Sequence, residues 1–528
     1  MINKVSRPKM TLNNCLCIIL HAKRRFLMKS KIGIVIATTL VLLLLVAGIS
    51  YAQGYPQPGL STSNTVVQNM ATGSGQVATL IVSYYSTDGV KQYENTTVKI
   101  NPKSVKEIKA EDEPLPAGFS GAAVVSSDQP IAAVVSIKNT NVPEAPDGFT
   151  QGAYNGTSTA GTSTSIFFPT VWGFNGIVSR VTVQNAEAGT NNIKLDFYDR
   201  SGNFLGSSNE ALNAYGSRTY YLGNTSDLPS GWPSGFQDGS ITITSTDNKM
   251  LAGASTATWP NRAGAYQALS PNDQGTVLYA PSHYRFKQNP SDSEYTLFSA
   301  VNIQNTSSST TAQVKVEYFT RGDNSGTPAL TLNTTIPPLS ARGLNTKNGG
   351  DLDASVFDPL GTSWDGSVTI TSENDVPLVG TGITNWGVAG NAGIYALVSD
   401  TSAADTIFIP AQYRLAQGST WNQWSALNLQ NVGTTTVNAA DLTVEYIDTN
   451  GNTIKTFTGA QLPGNLAPGA AFGLNTRNGG DLAASAFDSF GTSFIGGIYI
   501  TGPAGSDLVA VSNIIYKNRA SVYNGFPE

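Results

Sequence analysis

Apolar and polar residues alternate in short runs over most of the chain, and turn residues separate the runs. Val82-Ser83-Tyr84, Leu195-Asp196-Phe197, Val316-Glu317-Tyr318 and Val444-Glu445-Tyr446 each read apolar, polar, aromatic. A strand turns successive side chains to opposite faces, so a period of two marks a half-buried strand. Three of these runs lead into turns: Ser86-Thr87-Asp88-Gly89, Asp199-Arg200-Ser201-Gly202 and Asp448-Thr449-Asn450-Gly451. Asp or Asn beside Gly at such a place predicts a hairpin. Ser240 to Ser245 and Ser367 to Ser372 alternate Ile or Val with Ser or Thr, as a strand with one buried face does. No stretch of the body sustains apolar residues at i, i+3 and i+4, so few helices are expected.

These runs recur. An apolar-Gln-Asn triplet stands at Val67-Gln68-Asn69, Val183-Gln184-Asn185, Ile303-Gln304-Asn305 and Leu429-Gln430-Asn431, at about 120-residue intervals. An aromatic strand follows each triplet, a Gly-containing strand comes later, and a tyrosine (Tyr154, Tyr266, Tyr395, Tyr523) stands near the end. Repeats three and four match best: LNTKNGGDL at 344–352 against LNTRNGGDL at 474–482, and YAPSHYRF at 279–286 against FIPAQYRL at 408–415. Seven or eight short strands per repeat indicate a sandwich or barrel. The pattern resembles the immunoglobulin-like β-sandwich repeat modules of bacterial and archaeal secreted or cell-surface proteins. That resemblance implies an all-β chain of four tandem sandwiches, at 53–156, 157–270, 271–400 and 401–528. It also implies adhesive, matrix or cell-coat roles, by analogy of architecture.

The N-terminus reads differently. Ile32 to Ile49 is an almost unbroken apolar run, with Lys29 and Lys31 before it and Ser50-Tyr51-Ala52 after it. This is the layout of a signal peptide over residues 28–52, with cleavage expected after Ala52; residues 1–27 read as an extension upstream of the natural start at Met28. The run is also long enough to span a bilayer, so an uncleaved anchor is the competing reading, and residues 32–49 are then the only contact with a membrane. Either way the body lies outside the cell.

Composition supports many strands and turns: 53 Gly and only 13% charged residues. Eight of the 31 basic residues and none of the 36 acidic ones precede Gln53, so the body carries a net charge of −13. An acidic body argues against nucleic acid as a partner. Both cysteines, Cys15 and Cys17, lie in the leader, so no disulfide supports the body.

Catalytic chemistry is thin. The body has one histidine, His283, in a strand where the fourth repeat has Gln412. Thiol catalysis and any zinc site of several His or Cys ligands are excluded. A non-enzymatic role is therefore expected, without a required cofactor. Calcium is the metal that the composition allows, through Asp351, Asp353, Asp358 and Asp365, although the Asn-Gly-Gly-Asp stretch also reads as a tight loop. Arg321-Gly322-Asp323 falls in an expected exposed hairpin tip and consists of ordinary turn residues. Trp421 and Trp424, in a polar stretch, are candidates for stacking on sugar rings.

Two functions follow as expectations. The first is a structural stalk, cell-coat component or adhesin, contacting cell-surface components or other copies of itself. The second is a secreted carbohydrate-binding protein that holds glycans on exposed aromatic residues.

Overall fold

In the computed structural model, the described residues are 60–528 apart from 143–144, 146–147, 175, 224–227, 235, 237, 387–390 and 518. The leader and its cleavage site lie outside them. Among the described residues, no helix is long and apolar enough to cross a membrane.

The chain is all-β, and every strand pairing described is antiparallel. Repeat 1 comprises β1 (Leu60–Asn69), β2 (Ala78–Ser86), β3 (Lys91–Ile100), β4 (Val105–Lys109), β5 (Gly121–Ser127), β6 (Ile131–Thr140) and β7 (Phe149–Asn155). They form two sheets, ordered β4-β1-β6-β7 and β3-β2-β5. Repeat 2 comprises β8 (Ser165–Phe174), β9 (Ile177–Asn185), β10 (Asn191–Asp199), β11 (Phe204–Leu212), β12 (Ser217–Tyr221), β13 (Asp238–Ser245), β14 (Leu251–Trp259) and β15 (Arg262–Gln267). Its sheets are β11-β10-β13-β8 and β12-β9-β14-β15, joined where β8 turns directly into β9. Repeats 3 and 4 follow the same order, opened by strands Val277–Phe286 and Thr406–Gln417.

Each opening strand slips in register at a proline. β8 pairs with β13 as far as Phe168, opposite Ile241, and the register then slips so that Val171 faces Gly239. The slip spans Pro169, which has no N–H to give to the ladder. Pro281 and Pro410 lie in the same slips. The carbonyl set free after each proline is capped by the tyrosine near the end of the repeat. The hydroxyls of Tyr266, Tyr395 and Tyr523 donate to the carbonyls of Thr170 at 2.7 Å, Ser282 at 3.1 Å and Ala411 at 2.9 Å. A buried carbonyl has to find a partner, so these tyrosines fix the corner of the sandwich. Repeat 1 has no counterpart of β8 among the described residues.

The four repeats do not form a row. Their last strands, β7, β15, Asn391–Ala396 and Arg519–Asn524, pack each against the next and close into a ring around a pseudo-fourfold axis. The fourth repeat meets the first: Asn155 Nδ2 donates to the Asn524 carbonyl at 3.0 Å, and the Asn524 amide donates back to Asn155 Oδ1 at 2.9 Å. Asn524 also donates to the Ala396 carbonyl of repeat 3 at 2.9 Å. The linear rod expected from tandem sandwiches is thus replaced by a closed arrangement. The apolar cores cross the junctions too. Ile394 of repeat 3 belongs to the same apolar cluster as the core of repeat 2, and Val522 of repeat 4 to the cluster that forms the core of repeat 3.

Closure demands small residues at the axis. A Cβ on Gly264 would stand 2.5 Å from Ile394 Cγ1, and one on Gly393 would stand 2.2 Å from Val522 Cγ2. The Gly393→Val variant is therefore expected to lose about 3 kcal/mol by overpacking. Thermal and denaturant unfolding would measure this, and an unchanged midpoint would contradict the close-packed axis.

Candidate functional site

The repeated polar motifs meet at the junctions between repeats. Each Asn of the Gln-Asn pair ties down its own repeat. Asn69, Asn185, Asn305 and Asn431 donate to carbonyls of two neighbouring loops, and their Oδ1 atoms accept from the amide two residues on. The Gln reaches outward. Gln304 donates to Ser240 of repeat 2 at 3.1 Å, Gln430 to Thr369 of repeat 3 at 3.5 Å, and Gln68 to the Ile498 carbonyl of repeat 4 at 3.4 Å. All three contacts run in one rotational sense. Gln68 and Gln430 also donate within their own repeats, to the carbonyls of Lys103 at 2.9 Å and Gly469 at 3.4 Å, whereas the bond described for Gln184 stays inside its repeat, to the Tyr215 carbonyl at 3.2 Å.

The hairpin turn after each aromatic strand docks on the following repeat. Thr87 accepts from the Ser217 amide at 2.9 Å, and Tyr85 stacks on Tyr215 with ring centroids 5.0 Å apart. The turn of repeat 4 closes the cycle, with Asn450 and Thr449 accepting from Asn101 at 2.8 Å and Ser104 at 3.2 Å of repeat 1. Lys103 joins Glu445 there at 3.0 Å.

The middle junctions add arginine. Arg200 bridges Asp238 at 3.4 Å and Asp351 of repeat 3. Arg321 pairs with Asp365 at 2.7 Å and reaches Asn428 of repeat 4 at 2.8 Å and Asp481 at 3.9 Å. Burial raises the Asp238 and Asp481 carboxyls, and Arg200 and Arg321 offset only part of that rise. The Arg-Gly-Asp tripeptide is thus not a free tip. Gly322 and Asp323 are exposed as expected of a hairpin tip, but the arginine side chain is only 11% exposed and is used inside the ring.

The four aspartates considered for calcium go to four different partners. Asp351 accepts from the Gly343 amide at 2.6 Å as well as from Arg200. Asp353 caps the short 3-10 helix Ala354–Leu360 through Ser355. Asp358 holds Arg285 at 3.0 Å, and Asp365 holds Arg321. No group of three or more His, Cys, Asp or Glu converges among the described residues. The Asn-Gly-Gly-Asp stretch is a loop in which Gly349 and Gly350 adopt φ of 88° and 72°, as glycine allows.

Trp421 and Trp424 also serve repeated framework pairs. The Trp421 ring lies 4.5 Å from Arg414, just as Tyr295 lies 4.5 Å from Arg285. Trp424 is buried under Arg477 at 4.4 Å, and Phe298 sits under Lys347 at 5.3 Å. The sequence hid this correspondence because the loop before Phe298 is longer than the turn before Trp424. Both guanidiniums are anchored below, Arg285 on the Thr346 carbonyl at 2.9 Å and Arg414 on the Thr476 carbonyl at 2.6 Å.

His283 lies against Tyr318 and Trp364, with ring centroids 5.8 and 6.3 Å away. It is fully buried, and neither ring nitrogen has a hydrogen-bond partner. No nucleophile or carboxylate orients it, so the elements of a triad are not assembled around it. Burial lowers its pKa to about 3.

Two outcomes follow. Arg321→Ala leaves Asp365 and Asp481 facing each other and is expected to cost about 2 kcal/mol, discounted for the partial exposure of both carboxylates. Arg321→Lys should recover part of this, and unfolding titrations of both variants would check it. His283 is neutral when folded and takes up a proton near pH 6.5 when unfolded, so stability is retained above that pH and declines as pH falls from about 6.5 toward about 3. His283→Gln should flatten that part of the stability curve, and an unchanged slope would sink the assignment. Neither a scan against protein-family models nor a search of curated proteins finds a match to this chain.

Proposed function

We propose that the chain is a non-enzymatic structural and adhesive component of the cell exterior, acting as a ring-shaped coat or attachment module. The observation that carries this reading is the use made of the repeated polar motifs. Three of the four glutamines, the hairpin turns and the arginines Arg200 and Arg321 hold repeats to one another, while each Asn ties down its own repeat. The best catalytic candidate, His283, is sealed in the core. Function then falls to outward surfaces: loop tips and strand edges that contact cell-surface components or other copies of the chain. The edge strand β11, where Phe204 and Leu205 are 57% and 41% exposed, is such a surface. The acidic body and the leader-like N-terminus support an exported, dispersed protein.

Cell fractionation with intact-mass analysis tests the reading. A surface or extracellular species that begins at Gln53, or one that retains residues 32–49 in the membrane, is expected. A cytoplasmic species with an unprocessed N-terminus would overturn it.

A further inference from the structure

Among the described residues, the opening-strand position is filled at three junctions of the ring and unfilled at one. In repeats 2, 3 and 4 the opening strand fills two places at once. Its inward residues enter its own core: Ile166 and Phe168, Leu278 and Ala280, Ile407 and Ile409. Its outward aromatic plugs the next repeat: Phe167 on Val379, Tyr279 on Val509, Phe408 on Ala132. Each opening strand therefore reads apolar, aromatic, apolar, proline.

Repeat 1 offers the receiving surfaces for such a strand, and no described residue occupies them. β5 pairs with β2 on one edge and with no described strand on the other. None of its residues is buried, whereas most of β13 is. On the facing side, Ala252, Ala254 and Thr256 of repeat 2 are half-buried, while the counterparts of Ala252, which are Val379, Val509 and Ala132, are buried. Gln184 is half-buried, against full burial of Gln68, Gln304 and Gln430. Tyr154, whose counterparts cap the opening strand, has no hydrogen-bond partner among the described residues.

We propose that the groove between β5 of repeat 1 and the β9–β14 face of repeat 2 is a strand-acceptor site. Its ligand is an extended segment of a second polypeptide with the pattern apolar, aromatic, apolar, proline. Main-chain pairing to β5 would supply affinity, and apolar contacts inward to the repeat 1 core and outward to the β9–β14 face would supply selectivity. The groove continues an interface that is filled in the same way three times elsewhere in the ring, which fixes this chemistry. The sequence upstream of Leu60 has no copy of the pattern. Tyr55-Pro56 follows Gly54, and Ser50-Tyr51-Ala52 runs into Gln53 and would leave with a leader cut after Ala52.

The test uses the protein as the cell exports it, with a synthetic peptide of the Thr406–Gln412 sequence as probe. Fluorescence polarisation would follow binding, and hydrogen exchange would follow residues 121–127. Saturable binding with at least tenfold slower exchange across 121–127 is expected. A peptide carrying Ile407→Lys and Ile409→Lys should bind at least tenfold more weakly. Ala252→Lys, at a half-buried position of the β9–β14 face, should abolish binding, and Tyr154→Phe should weaken it. The proposal fails if exchange across 121–127 is already slow in the protein alone, since the edge is then filled from within the chain. It also fails if the probe does not bind, or if both peptides bind equally.

Discussion

A contact that uses two different surfaces, one on each repeat, has to be satisfied again by the next repeat. Here the hairpin turn and the opening strand of one repeat are received by the loop and the β9–β14 face, or its counterpart, on the next. Such head-to-tail interfaces run on as filaments unless the rotation between units closes. In this chain the rotation closes after four, and the turn of repeat 4 meets Asn101 and Ser104 of repeat 1. The glycines at the axis, the buried glutamines and the shared cores are consequences of that closure. Without it, Gln68 would lose the Ile498 carbonyl, and Phe408 would lie on open solvent.

Much of the fold was legible because a strand's side-chain alternation is a local property. The triplets, the aromatic strands and the end-of-repeat tyrosines marked four units, each with the expected seven or eight strands once the two-residue strands of repeats 3 and 4 are set aside. Closure was not legible, since it rests on pairs such as Asn155 and Asn524 that lie far apart in the chain. A repeat period fixes what each unit is; it does not fix the angle between units. The same limit explains the Arg-Gly-Asp tip. Its residues correctly indicated a turn, and the surface that covers the arginine belongs to another repeat.

The candidate site residues failed to converge for a related reason. Asp351, Asp358 and Asp365 are close in sequence, which suggested a shared cation, yet each answers an arginine on a different element. An oxygen-rich cluster and a set of salt-bridge acceptors have the same composition, and only the position of the cations separates them. Trp421 and Trp424 show this for aromatic rings. Their guanidinium partners, Arg414 and Arg477, are as informative as the rings, and their pairing appears only when strands are brought side by side.

The four junctions are alike in geometry and unequal in chemistry, which bears on how the ring forms in one order. Repeats 2 and 3 carry arginine at the docking turn, and repeats 3 and 4 carry the aspartate that receives it. Repeats 1 and 4 carry threonine at that place, and their junction is closed by Lys103 and Glu445 instead. An arginine turn docked on repeat 1 or 2 would find no receiving Asn-Gly-Gly-Asp loop and would keep only the aspartate of its own repeat, Asp238 or Asp365. Mispaired repeats therefore lose the second carboxylate, while backbone contacts common to all four junctions provide the shape. Charge sets the order, packing sets the closure, and repeat 1 is left as the one unit whose opening strand is not among the described residues.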